Sequence, residues 1–213
     1  MKNKQIKLLV ERYPVLKAIE NEVFDAYQIL ENCYAHGGKL LVAGNGGSAA
    51  DAEHIVGELM KSFMFERKIQ KKYADELVRL YGDEGVALSK KLEGTLCSIP
   101  LTSMPALSTA FINDVDPALT FAQMLYGYGR EGDCFLGIST SGNSKNILYA
   151  LQVAKAKGIT TIGLTGEGGG KMKELCDITI QVPEKETFMI QELHLPIYHC
   201  LCAMLEADFF EEK

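Results

Sequence analysis

Two side chains able to carry protons or bind a metal, His54 and Glu58, stand four residues apart in the stretch AGNGGSAADAEHIVGE at 43–58. At this spacing both project from one face of a helix. The glycine-rich loop 44–48 comes directly before that helix. Such loops bring backbone N–H groups and a helix N-terminus close to an anion. The stretch therefore predicts a phosphate cradle, a metal or proton-transfer site, or one device that serves both purposes.

Further candidates lie on a long, largely apolar helix predicted near the C-terminal end of the sequence. Gln191 and His199 are eight residues apart, which at about 100° per residue places them about 80° apart on one broad side of the helix. With His54 and Glu58 they offer the ligands of a divalent metal. They equally offer a carboxylate base and an imidazole acid. His194, on the same helix, has the simpler interpretation of a packed histidine.

The loop STSGNS at 139–144 is the sharper phosphate-binding candidate, because it follows a buried strand and opens a helix. Its four hydroxyls and its helix N-terminus can donate several short hydrogen bonds to a phosphate without a cluster of arginines. An ordinary helix cap needs one such residue. The hydroxyls belong to Ser139, Thr140, Ser141 and Ser144.

Two other glycine motifs are weaker. Gly44, Gly46 and Ala49 satisfy a loose GxGxxA, but a dinucleotide site expects an acidic residue about 20 positions on, at the end of a strand. The sequence there is a charged helical segment. The loop TGEGGGKM at 165–172 is similar to a P-loop, yet it lacks the first glycine and has Met172 where a hydroxyl would bind magnesium. We expect a structural role for it.

The elements that carry these loops alternate between strand and helix patterns. Short runs rich in Ile, Leu and Val indicate a parallel sheet covered by helices on both faces, a three-layer α/β fold. Ligands of such folds bind beyond the carboxyl ends of the strands, where the three loops fall. The predicted strands are 39–43, 95–101, 133–138, 159–164 and 177–182, and the predicted helices include 15–36, 49–61, 105–112, 117–127, 145–157 and 187–210.

Two segments stand outside this alternation. Within the N-terminal helical region 1–36, apolar residues form an a/d seam from Leu16 to Cys33, which suits packing on the chain's own sheet and helix pairing between subunits equally well. Residues 63–94 are highly charged and mostly helical in pattern. They are too long for an ordinary connection, so we expect a solvated helical insertion or a lid within a single domain.

Composition excludes several classes of protein. Of the 213 residues, 47% are hydrophobic and 23% are charged, which is typical of one globular domain. A formal charge of −6 and a pI near 5.3 argue against a nucleic-acid or anionic-membrane partner. No apolar run reaches the length of a membrane span, and residues 1–12 do not form a signal peptide. Six cysteines without a CxxC pair fit reduced thiols, so the cytoplasm is the predicted compartment.

Five motifs, in this order, are similar to those of a known family: AGNGGSAADAEHIVGEL, FIND, REGDCFLGISTSGNS, LTGEGGGKM and IQELHLPIYH. Over nearly its whole length except 63–94, the chain resembles the phosphoheptose isomerases (sedoheptulose 7-phosphate isomerases) of the sugar isomerase (SIS) domain superfamily. The resemblance implies a flavodoxin-like five-stranded parallel sheet and a homotetramer around a helical bundle, with active sites between subunits. It implies conversion of sedoheptulose 7-phosphate to D-glycero-D-manno-heptose 7-phosphate, the first step toward activated heptose for surface glycans.

The same resemblance assigns roles to residues. Glu58 matches the family's base and His199 its acid. Some members bind zinc, one ion per subunit, through four residues that match His54, Glu58, Gln191 and His199. The phosphate is held at Ser139, Thr140, Ser141 and Ser144. The remaining substrate-binding positions are Asn45, Gly46, Gly47, Ser48, Glu58, Asn113, Asp114 and Gln191.

Two departures from the family pattern keep alternatives open. The segment between Glu58 and Asn113 is roughly two dozen residues longer than expected, and Phe188 and Met189 are more apolar than expected. An isomerase of another sugar phosphate is one alternative. The other is a non-catalytic SIS binding module, like the related partners of the bacterial replication initiator. An adaptor, however, has no reason to assemble all four of the residues that match the family's zinc ligands.

Overall fold

The computed structural model of the chain describes residues 2–211 and has a sheet of five strands at its centre. Every strand pair is parallel, and the strands lie in the order β2-β1-β3-β4-β5. The predicted parallel sheet is therefore confirmed, although the second strand is shorter than predicted. The strands are β1 Leu40–Ala43, β2 Ser98–Pro100, β3 Cys134–Ile138, β4 Thr160–Thr165 and β5 Ile178–Gln181.

Ten α-helices in the described residues surround this sheet, together with 3₁₀ turns at Pro14–Ile19 and Pro117–Leu119. None of the described helices combines the length and apolarity that a membrane span requires. The helices are α1 Lys2–Arg12, α2 Glu20–Ala35, α3 Gly47–Met60, α4 Lys71–Tyr81, α5 Asp83–Lys91, α6 Pro105–Asp114, α7 Thr120–Tyr128, α8 Lys145–Ala156, α9 Met172–Leu175 and α10 Thr187–Phe210.

Alternate residues of each strand face two separate hydrophobic cores. Leu40 and Val42 of β1 pack into the core shared with α2, α3 and α10. Leu41 and Ala43 pack into the core shared with α7 and α8. Side chains of a strand point alternately to opposite faces, so a fully buried strand requires helices on both sides. The three-layer arrangement predicted from the continuous apolar runs is confirmed.

The strand order places the glycine and serine loops at one edge of the sheet. From β1 the chain crosses to β2 on one side, and β3 then pairs with β1 on the other side. The loops after β1 and β3 therefore flank the point where the winding of the sheet reverses, which is the usual ligand site of such sheets. Residues 44–48 and 139–144 meet there.

The a/d seam of the N-terminal region is used within the chain. It begins in the 3₁₀ turn rather than in one continuous helix from residue 15. Its apolar residues, from Leu16 to Cys33, are buried in the core against β3, β5 and α10. Of the two interpretations of the seam, packing on the chain's own sheet is therefore the one that the structure shows.

The segment 63–94 contains two helices, α4 and α5, that pack on each other, so its predicted helical character is confirmed. Gly85 allows the close approach, because a Cβ there would stand 2.0 Å from the Leu77 carbonyl oxygen. A narrow neck joins the pair to the domain. At this neck the backbones of Lys68 and Glu93 form an isolated antiparallel β-bridge. The Gly94 N–H donates to the Arg67 carbonyl at 2.9 Å. Its function as a lid stays a prediction.

Candidate active site

His54, Glu58 and His199 meet at the face between α3 and α10. The i and i+4 positions on α3 bring His54 Nε2 to 3.2 Å from Glu58 Oε1. His54 Nε2 also lies 3.4 Å from His199 Nε2, which α10 delivers from 145 residues further along the chain. The His54 side chain is 42% exposed and that of Glu58 is 13% exposed. A mostly buried carboxylate next to two accessible imidazoles can exchange protons with a bound ligand.

The second oxygen of Glu58 has a different partner. Lys61, one turn later on the same chain segment, places its Nζ 3.1 Å from Glu58 Oε2. The sequence analysis predicted no role for Lys61, although its position three residues after Glu58 indicates a contact between them. Because the Lys61 side chain is 59% exposed, it is free to swing away and leave an oxygen of Glu58 to a substrate.

Tyr198 and Asp51 extend the cluster on the Nδ1 side of His54. The Tyr198 hydroxyl lies 3.0 Å from His54 Nδ1 and donates to Asp51 Oδ1 at 3.2 Å. Burial, reinforced by the charge of Asp51, raises the pKa of the Tyr198 phenol well above its ordinary value, so the phenol keeps its proton. Burial, and then the neighbouring His54, lower the pKa of His199. The sequence reading missed Tyr198 and Asp51.

Gln191 enters the site against the first glycine loop. A Cβ on Gly47 would lie 2.6 Å from Gln191 Nε2, so the amide of Gln191 rests against the bare backbone of that glycine. Gly46, with φ of +56°, supplies the left-handed turn from which α3 begins. The loop thus brings its backbone and Gln191 together at the start of the helix that carries His54 and Glu58.

The serine hydroxyls of the loop 139–144 bond one another and the loop backbone rather than the helix that follows. Ser144 occupies the position before α8, but its hydroxyl does not cap that helix. It lies 2.8 Å from the Ser139 hydroxyl instead. The Ser141 hydroxyl accepts from the Asn143 N–H at 3.2 Å. The residue before the 12-residue α8 therefore does not cap it; the Ile147 N–H donates to Asn146 Oδ1 at 3.0 Å, and the N–H groups of Lys145 and Asn146 precede it at the ligand edge, where an anion can bind.

Asn45 of the first loop and Asn146 in the first turn of α8, directly after the second loop, form a reciprocal pair of amide hydrogen bonds. Asn45 Nδ2 donates to Asn146 Oδ1 at 3.0 Å, and Asn146 Nδ2 donates back to Asn45 Oδ1 at 2.8 Å. The sequence reading missed Asn146, because no motif pairs residues 101 positions apart. Ser48, a predicted contact, is buried at the base of the first loop. The amide pair fixes the spacing between the two ligand loops.

The third glycine loop packs on the second, as its predicted structural role requires. A Cβ on Gly142 would meet the Gly169 carbonyl oxygen at 2.1 Å, so backbone lies directly on backbone there. Both glycines have positive φ. The Met172 N–H donates to the Gly142 carbonyl at 3.1 Å, and the Gly166 N–H donates to the Thr140 carbonyl at 3.0 Å. These backbone contacts with the third loop support the conformation of the loop 139–144.

The donor atoms suit zinc in type and in spacing, although they are not gathered around one point. Atoms bound at 2.0–2.1 Å in a tetrahedral site stand about 3.3–3.4 Å apart. The separations from His54 Nε2 to Glu58 and His199, 3.2 and 3.4 Å, are close to that value. Among the described residues, no group of three or more His, Cys, Asp or Glu side chains is arranged so that it could hold a metal ion. His54 links the other two donors.

His194 lies beside the site but faces the core. Its side chain is fully buried, and burial lowers its pKa from 6.5 to about 4, with the Thr165 backbone partly opposing the shift. Between these values the unfolded chain binds a proton that the folded chain does not bind. The free energy of unfolding should therefore fall by about 3 kcal/mol as the pH falls from 6.5 to 4.

The free energy of unfolding, measured with urea at several pH values across this range, should depend less on pH for His194→Leu than for the unmodified chain. The exposed His36 gives the matched control, and His36→Gln should leave the profile unchanged. Parallel profiles for His194→Leu and the unmodified chain would show that His194 is not the responsible group.

Comparison with known proteins identifies the chain. Two models of the SIS domain match residues 106–205 and 4–95. A phosphoheptose isomerase of Aneurinibacillus thermoaerophilus is 42% identical over 199 residues, which cover 93% of this chain and 85% of that protein. Phosphoheptose isomerase 2 of Campylobacter jejuni is 45% identical over 83% of this chain and 75% of its own length. The chain belongs to the phosphoheptose isomerase family.

Solved structures of the phosphoheptose isomerase family share the architecture. That from Francisella tularensis superposes with a TM-score of 0.75 at 29% identity and covers 95% of each chain. That from Neisseria gonorrhoeae gives 0.73 at 28% identity, over 96% of this chain and 94% of the other. The five-stranded parallel sheet with helices on both faces is therefore the fold of this family.

Two substrate positions predicted from the phosphoheptose isomerase motifs are not brought to the cluster by this single chain. Asn113 and Asp114 lie at the end of α6, both exposed, and Asn113 Nδ2 donates to Asp114 Oδ1 at 2.8 Å. Their side chains make no other hydrogen bond within the described residues. Helix α6 itself contains no buried residue, and Ile112 and Val115 beside them are more than half exposed.

Proposed function

We propose that the protein is an aldose–ketose isomerase that converts sedoheptulose 7-phosphate to D-glycero-D-manno-heptose 7-phosphate. The observation that carries this proposal is the convergence of Glu58, His54 and His199 beside a helix N-terminus that can bind phosphate. Gln191 lies against the first loop, and the Asn45–Asn146 pair ties that loop to the second. A reaction centre and a phosphate cradle held at a fixed spacing are what a phosphosugar isomerase requires.

The residues of the cluster can perform each proton movement of this reaction. Glu58 removes the proton from carbon 1 of the ketose, which produces an enediol, and returns it to carbon 2. His199 donates a proton to the oxygen on carbon 2 as the enediol forms, and takes up the proton of the hydroxyl on carbon 1 as carbon 2 is protonated. The products contain the atoms and charges of the substrate, so no external oxidant or reductant is needed.

The loop 139–144 grips the end of the substrate that does not react. Its serine and threonine hydroxyls and the N-terminus of α8 donate hydrogen bonds to the phosphate. Binding energy at this remote group orients carbons 1 and 2 against Glu58 and His199, which lowers the barrier to proton transfer.

Zinc is proposed as the cofactor, one ion per subunit, with His54, Glu58, Gln191 and His199 as the residues that would hold it. The donor types, and the two separations from His54 Nε2 to Glu58 and His199, support this assignment. When bound, zinc supplies a Lewis acid that polarises the substrate carbonyl.

We further propose a homotetramer in the cytoplasm, with each active site shared between subunits. The exposed position of Asn113 and Asp114 on α6, where their side chains hydrogen-bond only to each other among the described residues, supports this arrangement. A mostly apolar groove of about 410 Å³ between α1 and α10 also reaches His199, and such a surface is typical of subunit contacts.

Shared sites predict complementation between two inactive variants. When Glu58→Gln and Asp114→Asn chains are co-expressed, about one quarter of shared sites should contain both unmodified residues, and activity should recover to a similar fraction. Activity of the mixed oligomer, measured after tandem-tag purification, checks this. Each variant alone is the control, and no recovery in a confirmed mixed oligomer would contradict a shared site.

The deciding experiment is turnover of a panel of C5 to C7 ketose phosphates, with and without added zinc. The expected result is an aldose phosphate formed fastest from sedoheptulose 7-phosphate. Faster turnover of another member would reassign the substrate. No turnover of any member would contradict the enzyme proposal and favour a non-catalytic binding module.

A further inference from the structure

Tyr198 stands between two groups that compete for its one proton. Its hydroxyl lies 3.2 Å from Asp51 Oδ1 and 3.0 Å from His54 Nδ1. A carboxylate can only accept a hydrogen bond, whereas a neutral imidazole nitrogen can donate or accept. The phenol therefore donates to Asp51, and its oxygen accepts from the Nδ1–H of His54.

The surroundings of Asp51 favour this direction over the reverse. Asp51 Oδ2 is buried with no hydrogen-bond partner among the described residues. If Tyr198 donated to His54 instead, the whole carboxylate would lose its side-chain donor. Leaving a buried acceptor without a partner is costly, more so when it is charged. The chain Asp51, Tyr198 and His54 thus has one favourable polarity.

This polarity determines what the other ring nitrogen of His54 presents to the site. With the proton on Nδ1, the lone pair is on Nε2, which lies 3.2 Å from Glu58 Oε1 and 3.4 Å from His199 Nε2. Two acceptors, His54 Nε2 and Glu58 Oε1, then face a common region, and His199 Nε2, which belongs to the proposed acid, can donate a proton into it. That region is set up to receive a proton or a cation.

We propose that Tyr198 and Asp51 are positioning residues that fix the ring and the tautomer of His54, so that its Nε2 lone pair faces the reaction centre. The ring of Tyr198 adds steric restraint, because it packs edge-on against both His54 and His199 with centroids 5.4 and 5.0 Å away. A histidine held through its far nitrogen by a carboxylate, here through a tyrosine hydroxyl, is more basic and better oriented at its near nitrogen. For its effect on turnover this inference rests on the proposed function.

The test begins with nitrogen NMR of the metal-free protein at a pH where the imidazoles are neutral. His54, assigned by comparison with a His54→Gln variant, should show a protonated Nδ1 and a bare Nε2. Tyr198→Phe, which keeps the ring but removes the hydroxyl, should shift His54 toward the Nε2–H form. Asp51→Ala should do the same, because Tyr198 is then free to donate to His54.

Two functional measurements accompany the spectra. Tyr198→Phe should lower kcat roughly tenfold to a hundredfold with little change in KM, and should weaken zinc binding, measured against a chromophoric chelator, by a similar factor. Tyr34→Phe is the matched control. It removes a buried tyrosine hydroxyl, bonded to Ser98 at 2.7 Å, far from the site, and should leave the tautomer, kcat and zinc affinity unchanged.

The outcomes separate this inference from the proposed function. An Nε2–H tautomer in the unmodified protein, or no tautomer change in either variant, would overturn the positioning inference whether or not the protein turns over substrate. The expected spectra and loss of zinc affinity, found together with no isomerase activity, would support the positioning inference while contradicting the proposed reaction.

Discussion

Replacement of Glu58 by glutamine is expected to lower kcat by roughly a thousandfold or more, with a small change in KM. Glutamine keeps the size and hydrogen-bonding oxygen of the side chain but cannot accept the proton from carbon 1. General base catalysis typically contributes 10²–10⁴-fold, and no other carboxylate contacts His54 or His199 among the described residues. Exchange of the carbon 1 hydrogen with deuterated water, followed by NMR, should stop together with turnover.

The same α-helix offers a matched control for this substitution. Glu53 lies five residues before Glu58, and its Oε1 accepts from the hydroxyls of Thr102 and Ser103 at 3.0 and 3.1 Å. Glu53→Gln removes an identical charge while keeping an oxygen that accepts those bonds, so activity should stay within about twofold. Substantial turnover by Glu58→Gln would exclude Glu58 as the base.

The elements of the fold could be predicted because their signals are local. A strand buried on both faces is a continuous apolar run, such as the LLVA of β1, and a glycine or serine cluster marks the loop that follows. His54 and Glu58 could be placed together because four residues along a helix is one turn. That His199 would join them was a hypothesis from residue type and helix position, which the family resemblance strengthened.

Contacts between distant segments left no comparable signal. Asn45 and Asn146 meet across 101 residues, and Tyr198 reaches Asp51 across 147. Each is an ordinary polar residue in its own segment, and its role appears only when the sheet brings two loops or two helices together. The seam from Leu16 to Cys33 was ambiguous for a related reason. An apolar stripe shows that a helix packs, but not whether its neighbour belongs to the same chain.

A buried ion pair that no sequence motif indicates contacts the end of α3, the helix that carries the proposed base Glu58. Arg67 Nε donates to Glu206 Oε1 at 2.7 Å, and both side chains are fully buried. The same guanidinium donates to the carbonyl oxygens of Leu59 and Glu58 at 2.8 and 2.9 Å. Arg67 thus satisfies carbonyl groups at the C-terminal end of α3, where a helix has no partners of its own.

Glu206 completes the anchor from α10. Its two carboxylate oxygens accept from the backbone N–H groups of Phe63 and Met64, each at 2.7 Å. One ion pair therefore connects α10, the end of α3 and the start of the segment 63–94. Arg67 of this pair donates to the carbonyl oxygen of Glu58, so the ion pair also restrains the position of the proposed base.

Removal of either charge alone should cost about 3–5 kcal/mol in the free energy of unfolding, because the partner is left buried and unpaired. Arg67→Met and Glu206→Gln each provide this change, and urea unfolding measures it. The double variant Arg67→Met with Glu206→Leu should lose less than the sum of the two single losses, since it leaves no uncompensated charge.

The chain offers an exposed ion pair of the same chemical type for comparison. Arg79 contacts Glu76 through two hydrogen bonds of 2.7 and 2.6 Å on the exposed surface of α4. Arg79→Met should leave the unfolding midpoint unchanged, since water solvates the remaining carboxylate. If Arg67→Met also left the unfolding midpoint unchanged, the buried Arg67–Glu206 pair would not contribute to the free energy of unfolding. If the anchor instead acts as the contacts indicate, Arg67→Met should also lower kcat at temperatures where it is still folded, because the backbone that carries Glu58 has lost its restraint.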